Sequence, residues 1–237
     1  MVVMALLGGS PAYGDTITLY TNNFDGGVTV AGGVTATLSG HTGTASVAGY
    51  SADGFSGNLL FNGTGGSPMG QPGGPTTLTL SNLPAHTSID INVLRAVIDS
   101  WDGPGGPGTE PWWGDFFNVA VDGVVVFRPA FGGSGGYTAN EINGASQRGF
   151  NELWDDRAFN MGPEPSLSIA HTGTSVVIDF FADGPGWQGM NADGTSDESW
   201  GLENLSIDVT PVPDSGSTLL LSSIGLVGLN ARTRRRS

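Results

Sequence analysis

The chain has 237 residues, with 22 Asp and Glu against 8 basic residues, all of them Arg, and a net charge of −14. Four of those Arg fall in the last six positions, so residues 1–231 hold 22 acids against 4 bases, a net charge of −18. A body this acidic repels nucleic acid and anionic membrane surfaces, and the lack of Cys excludes disulfides, thiolate metal sites and thiol catalysis. Divalent cations and neutral polymers such as sugars are its more natural partners. The length suits one sizeable domain, or at most two small ones. The 40 Gly and 14 Pro break the apolar residues into short bursts, the pattern of many short strands and turns.

From the N-terminus, Met1 to Leu7 is an apolar run, and Ala12-Tyr13-Gly14 has the small–x–small pattern of a signal-peptidase site. Residues 1–14 are read as a truncated signal peptide that lacks its basic start; a buried first strand is the alternative. β-rich runs bounded by Gly, Pro, Asn or Asp then recur at Thr16–Tyr20, Val28–Leu38, Asn58–Phe61, Thr76–Leu80 and Ser88–Ile98. They continue at Phe116–Val121, Val124–Phe127, Ser166–Ala170, Ser175–Phe181 and Leu202–Val209. Ile89, Ile91, Val93 and, less cleanly, Val97 follow the period of two of a half-buried strand. Asp122-Gly123 between FFNVAV and VVVF predicts a two-residue hairpin, because a type I′ turn needs positive φ at both positions. The stretches 62–75, 103–111 and 132–136 are too rich in Gly and Pro for strands and read as surface loops. Helical turns are expected only in Asn140–Gly149 and Asn151–Asn160. The order predicts an all-β fold, a two-sheet antiparallel jelly-roll-like sandwich over residues 15–210 with long Gly/Pro-rich loops.

Residues 211–237 are expected to lie outside that fold. Thr218 to Ala231 is an apolar stretch, about 21 Å as a helix at about 1.5 Å per residue. A full span needs about 20 residues, so a short C-terminal anchor helix is expected. Arg232, Arg234, Arg235 and Arg236 after it form the positive cluster that keeps a tail cytoplasmic.

Several constellations invite chemistry. Asp99 and Asp102 flank Ser100-Trp101 at a strand end, Asp115 follows Trp112-Trp113, and Asp193, Asp197 and Glu198 precede Trp200. If these groups converge, uncompensated carboxylates repel at close range, and calcium, which takes six to eight oxygens, resolves the repulsion. The opposing reading is a solvated acidic surface. The metal set proposed from the sequence is Asp99, Asp102, Asp115, Asp197 and Glu198, for Ca²⁺. Paired carboxylates also serve glycosidases, but the six Glu show no E-x-D-x-E alternation. Trp112 and Trp113, set between prolines and glycines, are the candidate platforms for sugar rings, whereas Trp101 and Trp200 are expected in the core. Gly103 to Gly108 matches G-x-G-x-x-G, but its two prolines forbid the helix a dinucleotide site needs. Gly132 to Gly136 matches G-x-S-x-G without a helix start behind it. His41, His86 and His171 each precede Thr and a β-like run, which suits polar turn residues; a zinc triad is the alternative.

Two resemblances add names. Val212-Pro213-Asp214-Ser215-Gly216, the apolar stretch and the terminal Arg cluster together resemble the VPDSG variant of the bacterial PEP-CTERM sorting domain. That resemblance implies export, transient anchoring in the inner membrane, and processing by an exosortase, a membrane cysteine transpeptidase. It also implies a place in exopolysaccharide or biofilm production at the surface of a Gram-negative-type bacterium. Asn230 in the apolar stretch departs from the usual pattern. "LTLSNLPAHTSIDINVLRAVIDSWDG", "FFNVAVDGVVVF" and "DESWGLENLSIDV" resemble a recurrent module of exported bacterial proteins, over roughly residues 76–209, with Glu203 where Asp is commoner. The expectation is a secreted or surface-attached, non-enzymatic β-sandwich that meets extracellular polysaccharide and no nucleic acid. The competing class is a secreted carbohydrate-active enzyme on a jelly roll.

Overall fold

Period-two burial builds the sheets. Thr76–Ser81 and, from Val176 on, Ser175–Asp183 alternate buried and half-buried positions. The structure, a computed structural model, describes residues 15–63, 73–104, 113–132, 136–150, 154–189 and 197–213. The strands there are β1 Ile17–Asn22, β2 Val28–Val30, β3 Thr35–Gly40, β4 Thr44–Ser46, β5 Asn58–Phe61, β6 Thr76–Ser81 and β7 His86–Ile98. They continue as β8 Phe116–Val121, β9 Val124–Phe127, β10 Glu141–Ser146, β11 Asp156–Asn160, β12 Ser168–Ala170, β13 Ser175–Asp183 and β14 Ser199–Pro211. One sheet runs β10-β11-β7-β14-β1-β2, with β12 also on β7, β5 on β14 and β4 on β5. The second runs β3-β6-β13-β8-β9. Every pairing is antiparallel. The chain passes between the two sheets at most connections, so the fold is an all-β sandwich with jelly-roll-like winding.

One core joins the sheets. Ile89, Ile91, Val93 and Val97 of β7 share it with Ile207 and Val209 of β14, Leu78 and Leu80 of β6, Phe117 of β8, and Ile178 and Phe180 of β13. Each such side chain fully buried stabilises by about 1.5–3 kcal/mol. The alternate residues of β7, Ala96 and Ile98, face the other way and pack with Val47, Tyr50, Phe55 and Leu59. The last turns of β7 are therefore covered on both faces, which explains their continuous apolar sequence. Trp101 and Trp200 lie in the core as expected.

Several expectations need correcting. Asn140–Gly149 and Asn151–Asn160 supply strands β10 and β11 rather than helical turns. β11 pairs with β7 from Arg157↔Val97 to Asn160↔Leu94, sends Phe159 into the inter-sheet core and puts Ala158 in the outer cluster. Tertiary pairing decides the conformation there, not local propensity. Val28–Leu38 is two strands in different sheets, split at Gly32-Gly33, where Gly33 has φ +86°. The 3-10 turn Ala48–Asp53 and strand β4 were not foreseen. The Asp122-Gly123 turn is as expected, with φ of 50° and 80°. β14 runs on to Pro211, which pairs with His86. The expected signal peptide and anchor helix lie outside the described residues. Among the described residues, no helix is long and apolar enough to cross a membrane.

Candidate functional site

Antiparallel pairing carries the predicted acids to one place. Ile98 pairs with Ser199 and Phe116 with Asp183, so β7 and β13 end where β8 and β14 begin. Asp99, Asp102, Asp115, Asp197 and Glu198 gather at this pole. Asp99 turns the chain out of β7 with φ 69°, and its N–H donates to Asp156 Oδ1 at 3.0 Å. The indole N–H of Trp101 donates to Ser199 O at 2.8 Å, which pins the new loop to the start of β14. Asp115 N donates to Asp102 O at 2.9 Å, while Asp102 N donates back to Asp115 Oδ2. Gln188 N donates to Glu198 Oε2, and Gln188 Nε2 to Asp197 Oδ2 at 2.7 Å.

The electrostatics are one-sided. Asp115 and Glu198 hydrogen-bond to each other through their side chains, and burial pushes both carboxyls up. The Asp102 N–H offsets part of that rise at Asp115; at Glu198 the adjacent Asp115 carboxyl adds to it. Asp102 and Asp197 are also pushed up by burial. Two carboxyls in contact in a dry site hold a proton between them. Asp115 is wholly buried, and no N–H donor among the described residues reaches its Oδ1. A Cβ built on Gly186 would stand 2.8 Å from that oxygen, so the glycine keeps open a space that any side chain would fill. Among the described residues, no three His, Asp or Glu side chains already surround a common point as metal ligands.

Above this floor lies a cleft of about 560 Å³. Asp99, Ser100, Asp102, Asp155, Arg157, Gln188, Asp197 and Glu198 line it, together with Trp101 and Trp154. Arg157 is held by Glu141 at 2.8 Å. Trp113 is half-buried, with its indole hydrogen-bonded to Asp102, and Trp112 lies outside the described residues. Among the described residues, the exposed indole in the cleft wall is Trp154.

Under the cleft sits Arg95, wholly buried. Its guanidinium lies 4.6, 4.2 and 3.7 Å from the ring centres of Trp101, Phe117 and Phe131, and burial holds its pKa well below the usual value. Arg95 is in phase with Ile89, Ile91, Val93 and Val97, so the period of β7 already pointed it inward. Arg148 and Asp156 gave no comparable signal. Asp156 takes the N–H groups of Asp99 and Arg148 at 3.0 and 2.9 Å. The Arg148 side chain reaches Asp53 Oδ2 at 2.6 Å and the carbonyls of Gly144 and Ser146 at 3.0 and 3.1 Å.

The histidines divide between the two ends of the sandwich. At the far pole, His86 Nδ1 meets Pro84 O at 2.6 Å and His86 Nε2 meets His171 Nδ1 at 2.7 Å. His171 Nε2 lies 3.3 Å from Asp122 Oδ2. His41 follows the end of β3, beside Gly74 and Pro75, so the three do not form a triad. His86 is a buried strand residue rather than a turn residue.

No protein family, no curated protein and no solved structure matches this chain. The functional reading therefore rests on the residues and their geometry.

Proposed function

We propose that the chain is a non-catalytic, jelly-roll β-sandwich that works at the surface or in the extracellular matrix of a Gram-negative-type bacterium, with calcium closing its acidic pole. The sorting motif Val212 to Gly216, the apolar stretch and the Arg cluster support export and exosortase processing after transient inner-membrane anchoring. The observation that carries the calcium reading is the buried Asp115 Oδ1, which no N–H donor among the described residues reaches. It sits against Glu198, with Asp102 and Asp197 the other charges bearing on the pair. All of these are acids. Asp99, Asp102, Asp115, Asp197 and Glu198 offer the carboxylate oxygens that a hard cation takes, beside the space that Gly186 leaves. The cation would replace the proton that the Asp115–Glu198 pair holds.

The same pair speaks against a glycosidase. Retaining enzymes set their carboxyls about 5–5.5 Å apart and inverting ones about 6.5–9.5 Å, to admit the sugar and a water. Asp115 and Glu198 are in hydrogen-bond contact, and Asp115 is sealed from solvent.

Thermal unfolding with and without calcium tests the proposal. A ligand at a hundredfold excess over its Kd stabilises by about 2.7 kcal/mol, about 5–10 °C for a domain of this size. Such a rise in millimolar calcium is expected, and Asp197→Asn or Glu198→Gln should remove most of it. Equal melting temperatures in calcium and in chelator would overturn the calcium reading and leave the acids as a network that holds loops.

A further inference from the structure

We propose that the cleft at the acidic pole binds a neutral oligosaccharide chain, with Trp154 as its stacking platform. This rests on the reading of an extracellular module and deepens it by naming the ligand class of the same pole. Trp101, Trp187 and Trp200 are at most 4% exposed, whereas Trp154 is 58% exposed. A single exposed aromatic on open surface needs no explanation. Trp154 instead forms part of a cleft wall, and the cleft's 560 Å³ falls within the range of about 300–1,000 Å³ typical of small-ligand sites. The main chain that presents the ring is fixed. Trp154 O accepts from Gln147 Nε2 at 2.8 Å, and two residues on, Asp156 anchors the start of β11 through two backbone N–H groups.

The rest of the wall supplies both halves of a hydrogen-bonding array. Asp155 accepts, the Ser100 hydroxyl can do both, and Arg157 and Gln188 donate. A sugar hydroxyl does both, so it uses such a mixture fully. A pyranose ring also has an apolar C–H face that lies flat on an indole, as an amphipathic ligand should. Charge then narrows the class. The acids reject uronate and phosphate polymers, because like charges brought together at an interface cost several kcal/mol. Glu141 pairs Arg157, so a basic peptide is the competing ligand that the acids would attract, and the stacking platform favours the sugar.

The test uses the full chain in affinity gels cast with hydroxyethylcellulose, starch, glucomannan or alginate, each run in calcium and in chelator. At least one neutral polymer is expected to retard the protein and to change its tryptophan fluorescence, and alginate to do neither. Trp154→Ala should bind at least about tenfold more weakly, with its melting temperature and calcium response unchanged, because the ring is exposed. Three results would overturn the proposal: no retardation by any neutral polymer, equal retardation of Trp154→Ala, or tighter binding of an arginine-rich peptide. A calcium-dependent melting rise without retardation sinks the glycan site alone. Retardation without a calcium response sinks the calcium reading alone.

Discussion

At the scale of single residues, the acidic pole is governed by two carboxyls whose folded-state pKa values are raised. A free carboxyl titrates near pH 4. From there up to the raised values, the native chain binds more protons than the unfolded one, so its stability falls as pH rises. In chelator, the stability this pair contributes is therefore expected to be fully present below about pH 4 and to decline up to about pH 10. The slope for each group acting alone is at most about 1.4 kcal/mol per pH unit. Glu198→Gln keeps a carbonyl to accept the Gln188 N–H and an amide to donate to Asp115, but carries no charge. It should flatten the decline and melt above the parent at pH 8. Melting curves for both proteins across this range decide the matter. An unchanged slope would mean that the pair is not the group being titrated. Calcium, which competes with the proton, should help most at the alkaline end.

At the scale of elements, the 3-10 turn Ala48–Asp53 and the β10–β11 hairpin are bound together by Arg148. Its guanidinium is almost wholly buried, holds Asp53 and fills carbonyls of the hairpin, while Gly49 N donates to Arg148 O at 2.7 Å. Removing one member of a buried ion pair strands the other, at a cost of about 3–5 kcal/mol. Arg148→Ala should therefore lower the denaturant midpoint by a large margin. Arg128→Ala, at the more exposed pair with Asp183, should cost about 1 kcal/mol or less. Similar losses for the two would show that Arg148 does not clamp the hairpin. Sequence alone read the strands whose apolar residues alternate, and it read the Asp122-Gly123 turn, because those signals are local. It also placed Asp99, Asp102, Asp115, Asp197 and Glu198 near strand ends, from which their convergence follows once the pairing is known. It missed β10, whose residues are mostly exposed, and Asp156, whose partners lie 57 and 8 positions away. It looked for the sugar platform at Trp112 and Trp113, in a glycine-rich loop. Trp112 lies outside the described residues; among those described, the exposed indole in the cleft wall is Trp154, before a strand that only long-range pairing creates.

At the scale of the whole molecule, β14 connects the two ends of the sandwich. It starts at Ser199, beside the acidic cleft, and ends at Pro211, beside the paired His86 and His171. Thirteen residues of strand at about 3.3 Å each place these poles about 40 Å apart. Val212 N still donates to Ala85 O at 3.2 Å, and the described body ends one residue later, at Pro213. A tail that anchored the protein from there would hold the cleft on the side away from the membrane, open to polymer. The same geometry defines what the fold can lose. Ile207 and Val209 are wholly buried and pair with Ile91 and Ile89, so a chain cut after Ser206 gives up core that costs several kcal/mol. A chain cut after Pro213 gives up none of the described contacts. It should melt with the full-length protein and keep the calcium and glycan responses, while the shorter chain should fail to fold. Mass spectrometry of protein from the native extracellular pool should then find Val209 retained and Arg236 absent. Intact Arg236 in that pool would remove the sorting reading while leaving the sandwich and its cleft untouched. A marked loss of stability on cutting after Pro213 would show that the body extends into the tail.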